Sequence, residues 1–115
     1  MSFKSIAELA AALRAFAAER EWDQFHSPRN LAAALSVEAS EVLEHFQWKT
    51  DEQSRSLGEE QKEQVAMELA DVFIYLVRLA DRLDVDLLQA AGQKMQINAR
   101  NYPAEITCGT IKKIP

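Results

Sequence analysis

Residues that cross-link a chain or break its helices are scarce in this sequence. Its 115 residues include one Cys, three Gly and three Pro. A lone Cys108 excludes an internal disulfide framework and any cysteine-based zinc site. Hydrophobic residues make up 48% of the chain, and with so little Gly and Pro this composition excludes a disordered or fibrous protein.

Basic clusters and long apolar runs are also missing. The net charge is −5, and the longest basic run is Lys112-Lys113. This argues against a nucleic acid polymer as the ligand, because such binding relies on clustered Lys and Arg. A small phosphorylated ligand stays open, since a cation can screen an acidic pocket. No run approaches a membrane span and no secretory pattern is visible, so we expect a cytoplasmic protein without membrane contact.

Hydrophobic spacing predicts an all-α fold, a four-helix bundle in a single domain over residues 1–103. The helices are expected at about 5–21, 28–46, 57–83 and 86–102, with capping boxes at Ser5 and Ser56. A short helical turn is possible after Thr50. Gly92 lies inside the fourth predicted helix, where Gly is unfavourable, and this indicates a close contact with another helix. The tail, residues 104–115, has no period and is assigned no structure.

The third predicted helix is apolar on nearly every side. Six apolar residues along one side, the seam, follow one another at intervals of 4, 3, 4, 3 and 4 residues, which is the spacing of a coiled coil. Further apolar residues fill the other faces. A chain of this length can bury only a modest core, so this helix is expected to meet another subunit. The seam consists of Val65, Leu69, Val72, Leu76, Leu79 and Leu83.

Four acids stand inside these apolar helices, as the pairs Glu38/Glu41 and Glu68/Asp71. The i, i+3 spacing places both acids of a pair on one helix face. If the second and third helices lie antiparallel, the pairs can meet, and two carboxylates about 4 Å apart repel by roughly 4 kcal/mol. Oxygen ligands suit Mg²⁺, or Mn²⁺ as an alternative. The competing interpretation is that the pairs face solvent. A di-iron centre is disfavoured because no Glu-x-x-His motif occurs.

Two tryptophans, Trp22 and Trp48, fall in predicted loops beside the second helix. They either stack on a nucleotide base, which is worth about 1–3 kcal/mol, or plug the ends of the bundle, and the sequence leaves both interpretations open. By itself, His26 is typical of a hydrogen-bonded loop histidine. His45 is typical of a cation at a helix C-terminus and nothing more.

The segments EWDQFHSPRNL, HFQWK, ELADVFIYLVRLAD and KMQINARNYP, together with the acid spacing, resemble one family. It is the MazG-like superfamily of all-α nucleoside triphosphate pyrophosphohydrolases, and its dCTP pyrophosphatase branch is the most similar. The resemblance implies a Mg²⁺-dependent enzyme of nucleotide pool sanitation that converts a nucleoside triphosphate, dCTP or a related dNTP, to the monophosphate and pyrophosphate. It also implies a homodimer or homotetramer.

The resemblance also assigns residues to roles. The metal-binding acids are Glu38, Glu41, Glu68 and Asp71, and either of the first two is a candidate for orienting the attacking water. The chain departs from the vertebrate pattern at Leu13, where those members have a histidine, so strict dCTP preference is not implied. The residues expected to contact substrate are Trp22, His26 and Trp48 at the base, Lys94 and Asn98 at the sugar and phosphates, and Tyr75 as a further substrate contact.

Two rival functions remain. The chain could be a non-catalytic helical sensor that binds a Mg²⁺–nucleotide, which predicts binding without turnover. Alternatively, it could be a structural helical dimer whose acids pair with basic groups, for which Arg78 is the obvious buried cation.

Overall fold

The computed structural model describes residues 1–110, and this part of the chain is helical without strands. The all-α prediction is therefore confirmed. Within the same range no helix is long and apolar enough to cross a membrane. The helical segments are α1 (Ile6–Glu19), a 3₁₀ turn (Asp23–Phe25), α2 (Pro28–Glu44), α3 (Asp51–Ser54), α4 (Glu59–Arg82), α5 (Leu87–Asn101) and α6 (Ala104–Thr107).

The chain divides into two compact units, and the second begins at Val85. In the first unit, α4 is the central element: α2 packs along it, and α1 packs on it as well. The second unit contains α5 and α6. Its first helix is capped by Asp86, whose carboxylate accepts a hydrogen bond from the Gln89 amide at 3.0 Å. A bundle of four helices in one domain stays a prediction.

Side-chain caps start most of the helices where they were predicted. The hydroxyl of Ser27 accepts a hydrogen bond from the Asn30 amide at 3.1 Å, with Pro28 in the first turn of α2. Ser5 caps α1 in the same way, but the carboxylate of Glu8 accepts from the amide of Lys4 rather than of Ser5, so the predicted box is only half formed. Thr50 forms a reciprocal capping box at α3. The Ser56 capping box is wrong: the chain bends at Ser56, and the N-cap of α4 is the extended Gly58, which makes no side-chain capping bond. Ser56 lies too far upstream to cap.

The C-terminus of α1 fixes the direction of the chain toward α2. The helix ends at Glu19, two residues before the predicted end, and Glu21 takes a left-handed conformation with φ 56°. The amide of Trp22 donates to the carbonyl of Ala17 at 2.9 Å and that of Glu21 to Ala18 at 3.1 Å, which is a Schellman motif. The indole of Trp22 is thereby placed edge-on against Phe16, with 5.8 Å between ring centroids.

Few apolar side chains are fully buried within the described residues. On α4 the predicted seam is only partly covered, since Leu69 and Leu83 are each 53% exposed, and Met67 and Phe73 also reach the surface. Large apolar side chains exposed along one helix can mark an interaction surface. The buried apolar residues are Ala10, Ala17, Leu31, Val65, Val77 and Ala80.

One expectation for the C-terminal part is wrong, and a second is not met within one copy of the chain. The stretch assigned no structure contains α6, whose last residue Thr107 donates to the carbonyl of Pro103 through both its amide and its hydroxyl. Residues 111–115 lie outside the described part of the chain. A Cβ added to Gly92 would meet nothing within 4 Å, so the close helix contact expected there is not found among residues 1–110.

Candidate functional site

Three of the four singled-out acids converge where α2 packs on α4. Glu38 and Glu41 lie one turn apart on α2, and Glu68 lies opposite on α4. Each offers a carboxylate oxygen, and these three oxygens lie within 4.8 Å of one another. The i, i+3 spacing and the packing of the two helices together account for this convergence. The carboxylates are half-buried, so the interpretation that both pairs simply face solvent does not describe these three residues.

The electrostatics of this acid cluster (Glu38, Glu41 and Glu68) favour a bound proton or cation. Burial raises the pKa of Glu38 to about 7, with further contributions from a hydrogen bond to Glu41 and from the neighbouring carboxylates. Burial likewise raises the pKa of Glu68, again helped by Glu41. The Oε2 atom of Glu38 is buried without a hydrogen-bond partner among the described residues. A cation would satisfy this oxygen and offset the repulsion.

Asp71 stands at the edge of the cluster. Its side chain is exposed, and its oxygens are not part of the group of three. It is nevertheless close enough for its charge to raise the pKa of both Glu38 and Glu68. A role for Asp71 as a metal ligand stays a prediction.

His45 belongs to the same place, so its interpretation as only a helix-end cation is incomplete. Its Nε2 atom lies 3.8 Å from Oε1 of Glu68, and the contact opposes the rise in the pKa of that carboxyl. The sequence contains a signal for this, because His45 follows Glu41 by four residues and therefore shares its helix face.

A second feature is an aromatic cavity of about 280 Å³. Trp22 and His26, both expected at the base, line it together with Tyr75, which was expected to contact the substrate. The rings of Trp22 and His26 are 6.1 Å apart between centroids, inclined by 58°. Sequence reasoning missed Phe16, which lines the cavity from α1. Leu13 also lines it, so α1 contributes an apolar wall at the position where the family pattern differs.

The remaining predicted substrate residues lie elsewhere in the chain. Trp48 is 88% exposed and borders an open depression beside His45 and Lys49, rather than the aromatic cavity. The prediction that it joins Trp22 and His26 is therefore not met within one copy of the chain. Lys94 and Asn98 are exposed on α5, one turn apart, in the second unit.

Arg78 does not neutralise the acid cluster. It is 4% exposed, and its guanidinium pairs with Asp23 at 2.5 Å and lies 3.7 Å from Asp81. Because these acids belong to other parts of the first unit, Arg78 cannot be the cation that a purely structural pairing of the four acids requires.

The acid cluster and the aromatic cavity share α4, because Glu68 and Tyr75 are seven residues apart. Seven residues of helix rise by about 10 Å. The class defined by this arrangement is an all-helical protein with an acid cluster that could hold a metal ion, about two helix turns from an aromatic cavity.

Comparison with known proteins identifies the family. Residues 33–113 match the profile of the MazG-like family, and the chain belongs to that family. It is 51% identical to dCTP pyrophosphatase 1 of Homo sapiens over 100 residues, and these cover 85% of this chain and 59% of the human protein. The identity to dCTP pyrophosphatase 1 of Bos taurus is 49%, with the same coverage. The chain thus spans less than two thirds of the length of these relatives.

A solved structure supports the same assignment over most of the chain. A pyrophosphatase from Archaeoglobus fulgidus superposes with a TM-score of 0.81 and 38% sequence identity. The superposition covers 90% of this chain and 96% of that one. The likeness therefore includes nearly the entire helical architecture.

Proposed function

We propose that this chain is a Mg²⁺-dependent nucleoside triphosphate pyrophosphohydrolase that releases the monophosphate and pyrophosphate. The preferred substrate in this proposal is dCTP or a related dNTP, in keeping with the names of relatives about half identical to it. The observation that carries the proposal is the acid cluster, in which three carboxylates on packed helices include a buried oxygen without a partner.

The cluster fits a hard divalent ion. Its donors are all carboxylate oxygens, which suit Mg²⁺ and also Mn²⁺. When bound, such an ion lowers the pKa of a water and offsets negative charge on phosphate oxygens. Glu38, Glu41 and Glu68 hold it in this proposal, and Asp71 joins them from the edge. Glu38 or Glu41 also orients the attacking water, since both border the same point.

The aromatic cavity supports the proposed binding of a base. A pyrimidine ring is flat and apolar on its faces, and the cavity of about 280 Å³ offers the rings of Trp22, Tyr75 and His26. The rise of about 10 Å along α4 between Tyr75 and Glu68 is of the order of the distance between a base and the phosphates of one nucleotide. Lys94 would supply a point charge to phosphate, and Asn98 a hydrogen bond to the sugar.

Assembly into a homodimer or homotetramer is part of the proposal. The uncovered apolar side chains of α4 support it, Met67, Leu69, Phe73 and Ile74 among them. A second copy would cover part of this exposed apolar surface and bring its own Trp48 to the aromatic cavity. This would reconcile a role in base binding with the position of Trp48 in one copy.

The decisive experiment measures pyrophosphate release from a panel of dNTPs and NTPs with and without Mg²⁺. We expect turnover that requires the metal, is highest with dCTP or a close analogue, and falls at least 100-fold in the Glu68→Ala variant. Glu60→Ala is the matched control, because Glu60 is an exposed acid in the first turn of α4 and should leave turnover unchanged.

The rival sensor function gives a different result in the same assay. Nucleotide binding by calorimetry without any pyrophosphate release would establish the non-catalytic sensor. Near-normal turnover by Glu68→Ala would remove the acid cluster from the mechanism.

A further inference from the structure

Arg78 is the one buried charged side chain among residues 1–110. It contacts the region before α2 with two nitrogens: Nε donates to Nδ1 of His26 at 3.2 Å, and the terminal NH2 donates to Asp23 at 2.5 Å. It also lines the aromatic cavity. Arg82, one turn further along α4, donates from Nε to the carbonyl oxygen of His26 at 3.1 Å. The backbone and the ring of His26 are thus both held by α4.

These contacts decide which hydrogen-bonding groups His26 presents. A guanidinium can only donate, so Nδ1 of His26 has to accept and cannot carry a proton. A neutral imidazole with an accepting Nδ1 has its proton on Nε2. Burial, together with the positive charges of Arg78 and Arg82, lowers the pKa of His26 against the opposing effect of Asp23, which favours the neutral ring.

We propose that Arg78 is a positioning residue for base recognition, which fixes His26 as the Nε2–H tautomer and so makes it a hydrogen-bond donor toward the cavity. This inference rests on the proposed function. The group it recognises is an acceptor on the edge of the base, such as the ring nitrogen or carbonyl of a cytosine. A base that presents N–H at that point sets two donors against each other and leaves a buried donor unsatisfied.

The first test is the tautomer, observed by ¹⁵N NMR without any nucleotide. The chain has two histidines, so a His45→Gln variant assigns the signals of His26. We expect an unprotonated, pyridine-like Nδ1 and a protonated, pyrrole-like Nε2 in the wild type, and a mixture of tautomers in Arg78→Met. An Nδ1–H tautomer in the wild type would overturn the inference, and this measurement stands even if Arg78→Met does not fold.

The second test is kinetic. With Arg78→Met or His26→Phe we expect KM for the preferred nucleotide to rise about three- to tenfold, the loss of one hydrogen bond, with kcat nearly unchanged. His26→Gln should restore most of the affinity, because its amide nitrogen lies near the position of Nε2 and still donates. Arg14→Met is the control: Arg14 pairs with Asp81 at 2.6 Å on the surface, so its loss weakens the same ion network without touching His26.

The outcomes separate this inference from the proposed function. The expected tautomer with a raised KM in the two variants and recovery in His26→Gln supports the role of Arg78. Equal losses in Arg14→Met and Arg78→Met, or an unchanged KM in Arg78→Met, would overturn it and leave the hydrolase intact. An enzyme without turnover on any nucleotide refutes the proposed function, while the tautomer is still measurable.

Discussion

Binding of Mg²⁺ should release a proton from Glu38, and this makes metal affinity depend on pH in a calculable way. The pKa of Glu38 is raised to about 7 by burial and by its neighbours, whereas a cation needs the ionised carboxylate. At pH 6, one unit below this pKa, about nine in ten copies carry the proton, and at pH 8 about one in ten. The apparent Kd for Mg²⁺ should therefore be about tenfold higher at pH 6 than at pH 8, a difference of about 1.4 kcal/mol.

Isothermal titration calorimetry at both pH values tests this directly. Repeating each titration in two buffers with different ionisation enthalpies counts the protons released, and we expect close to one at pH 6 and almost none at pH 8. Glu38→Gln is the matched variant: it should bind Mg²⁺ more weakly and show little dependence on pH over this range. A Kd that is the same at pH 6 and pH 8 in the wild type, without proton release, would refute the assignment of Glu38.

The same shift has a consequence for stability with a definite sign. Between the ordinary pKa near 4.5 and the raised value of about 7, the folded protein binds more protons at Glu38 than the unfolded chain does. Its stability without metal therefore falls as the pH rises through this window. Glu38→Gln removes this penalty, so we expect the metal-free variant to melt at a higher temperature than the metal-free wild type at pH 8. A lower Tm for the variant would contradict the electrostatic account.

Three further predictions concern other parts of the chain. Trp22→Ala should raise KM for the preferred nucleotide about tenfold, as stacking energies imply. A similar rise in Trp48→Ala would show that Trp48 reaches the base from a second copy, and an unchanged KM would exclude Trp48 from base binding. Phe73→Glu should reduce the mass measured by light scattering to that of one copy, because it places a charge among the exposed apolar side chains of α4. An unchanged mass would locate the interface elsewhere. Gly92→Ala should stabilise α5 by about 1 kcal/mol, because Ala favours the helical conformation and its Cβ has free space there. We expect this as a higher Tm of the variant, whereas a lower Tm would reveal a contact made only in the assembly.

The helices and the acid cluster were accessible from the sequence because their causes are local. Ser5 and Ser27 cap the helices they precede, and the capping bonds span three residues. The i, i+3 acid pairs needed only one further fact, that α2 and α4 pack against each other. The failure at Ser56 shows the limit of such motifs: a capping pattern competes with the backbone around it, and the helix started after Gly58 instead.

The make-up of the aromatic cavity was less accessible, because it depends on chain direction and on distant partners. The left-handed conformation of Glu21 turns the chain so that Trp22 contacts Phe16. This conformation could not be predicted, because Glu has no preference for positive φ. The hydrogen bond between Arg78 and His26 joins residues 52 apart in sequence. The position of Trp48 away from the cavity could not be predicted from the sequence, because Trp22 and Trp48 both lie in loops next to α2 and only Trp22 lines the cavity.

The acid cluster and the aromatic cavity are built largely from different elements around α4, and this affects how such a protein can evolve. The acid cluster needs α2 and α4, whereas the walls of the aromatic cavity come from α1, the 3₁₀ region and the part of α4 around Tyr75. Substitutions at Leu13 or Phe16 can reshape the cavity without displacing a single carboxylate. Under the proposed function, base preference can thus diverge among related chains, or be redesigned in the laboratory, without altering the residues assigned to the phosphates.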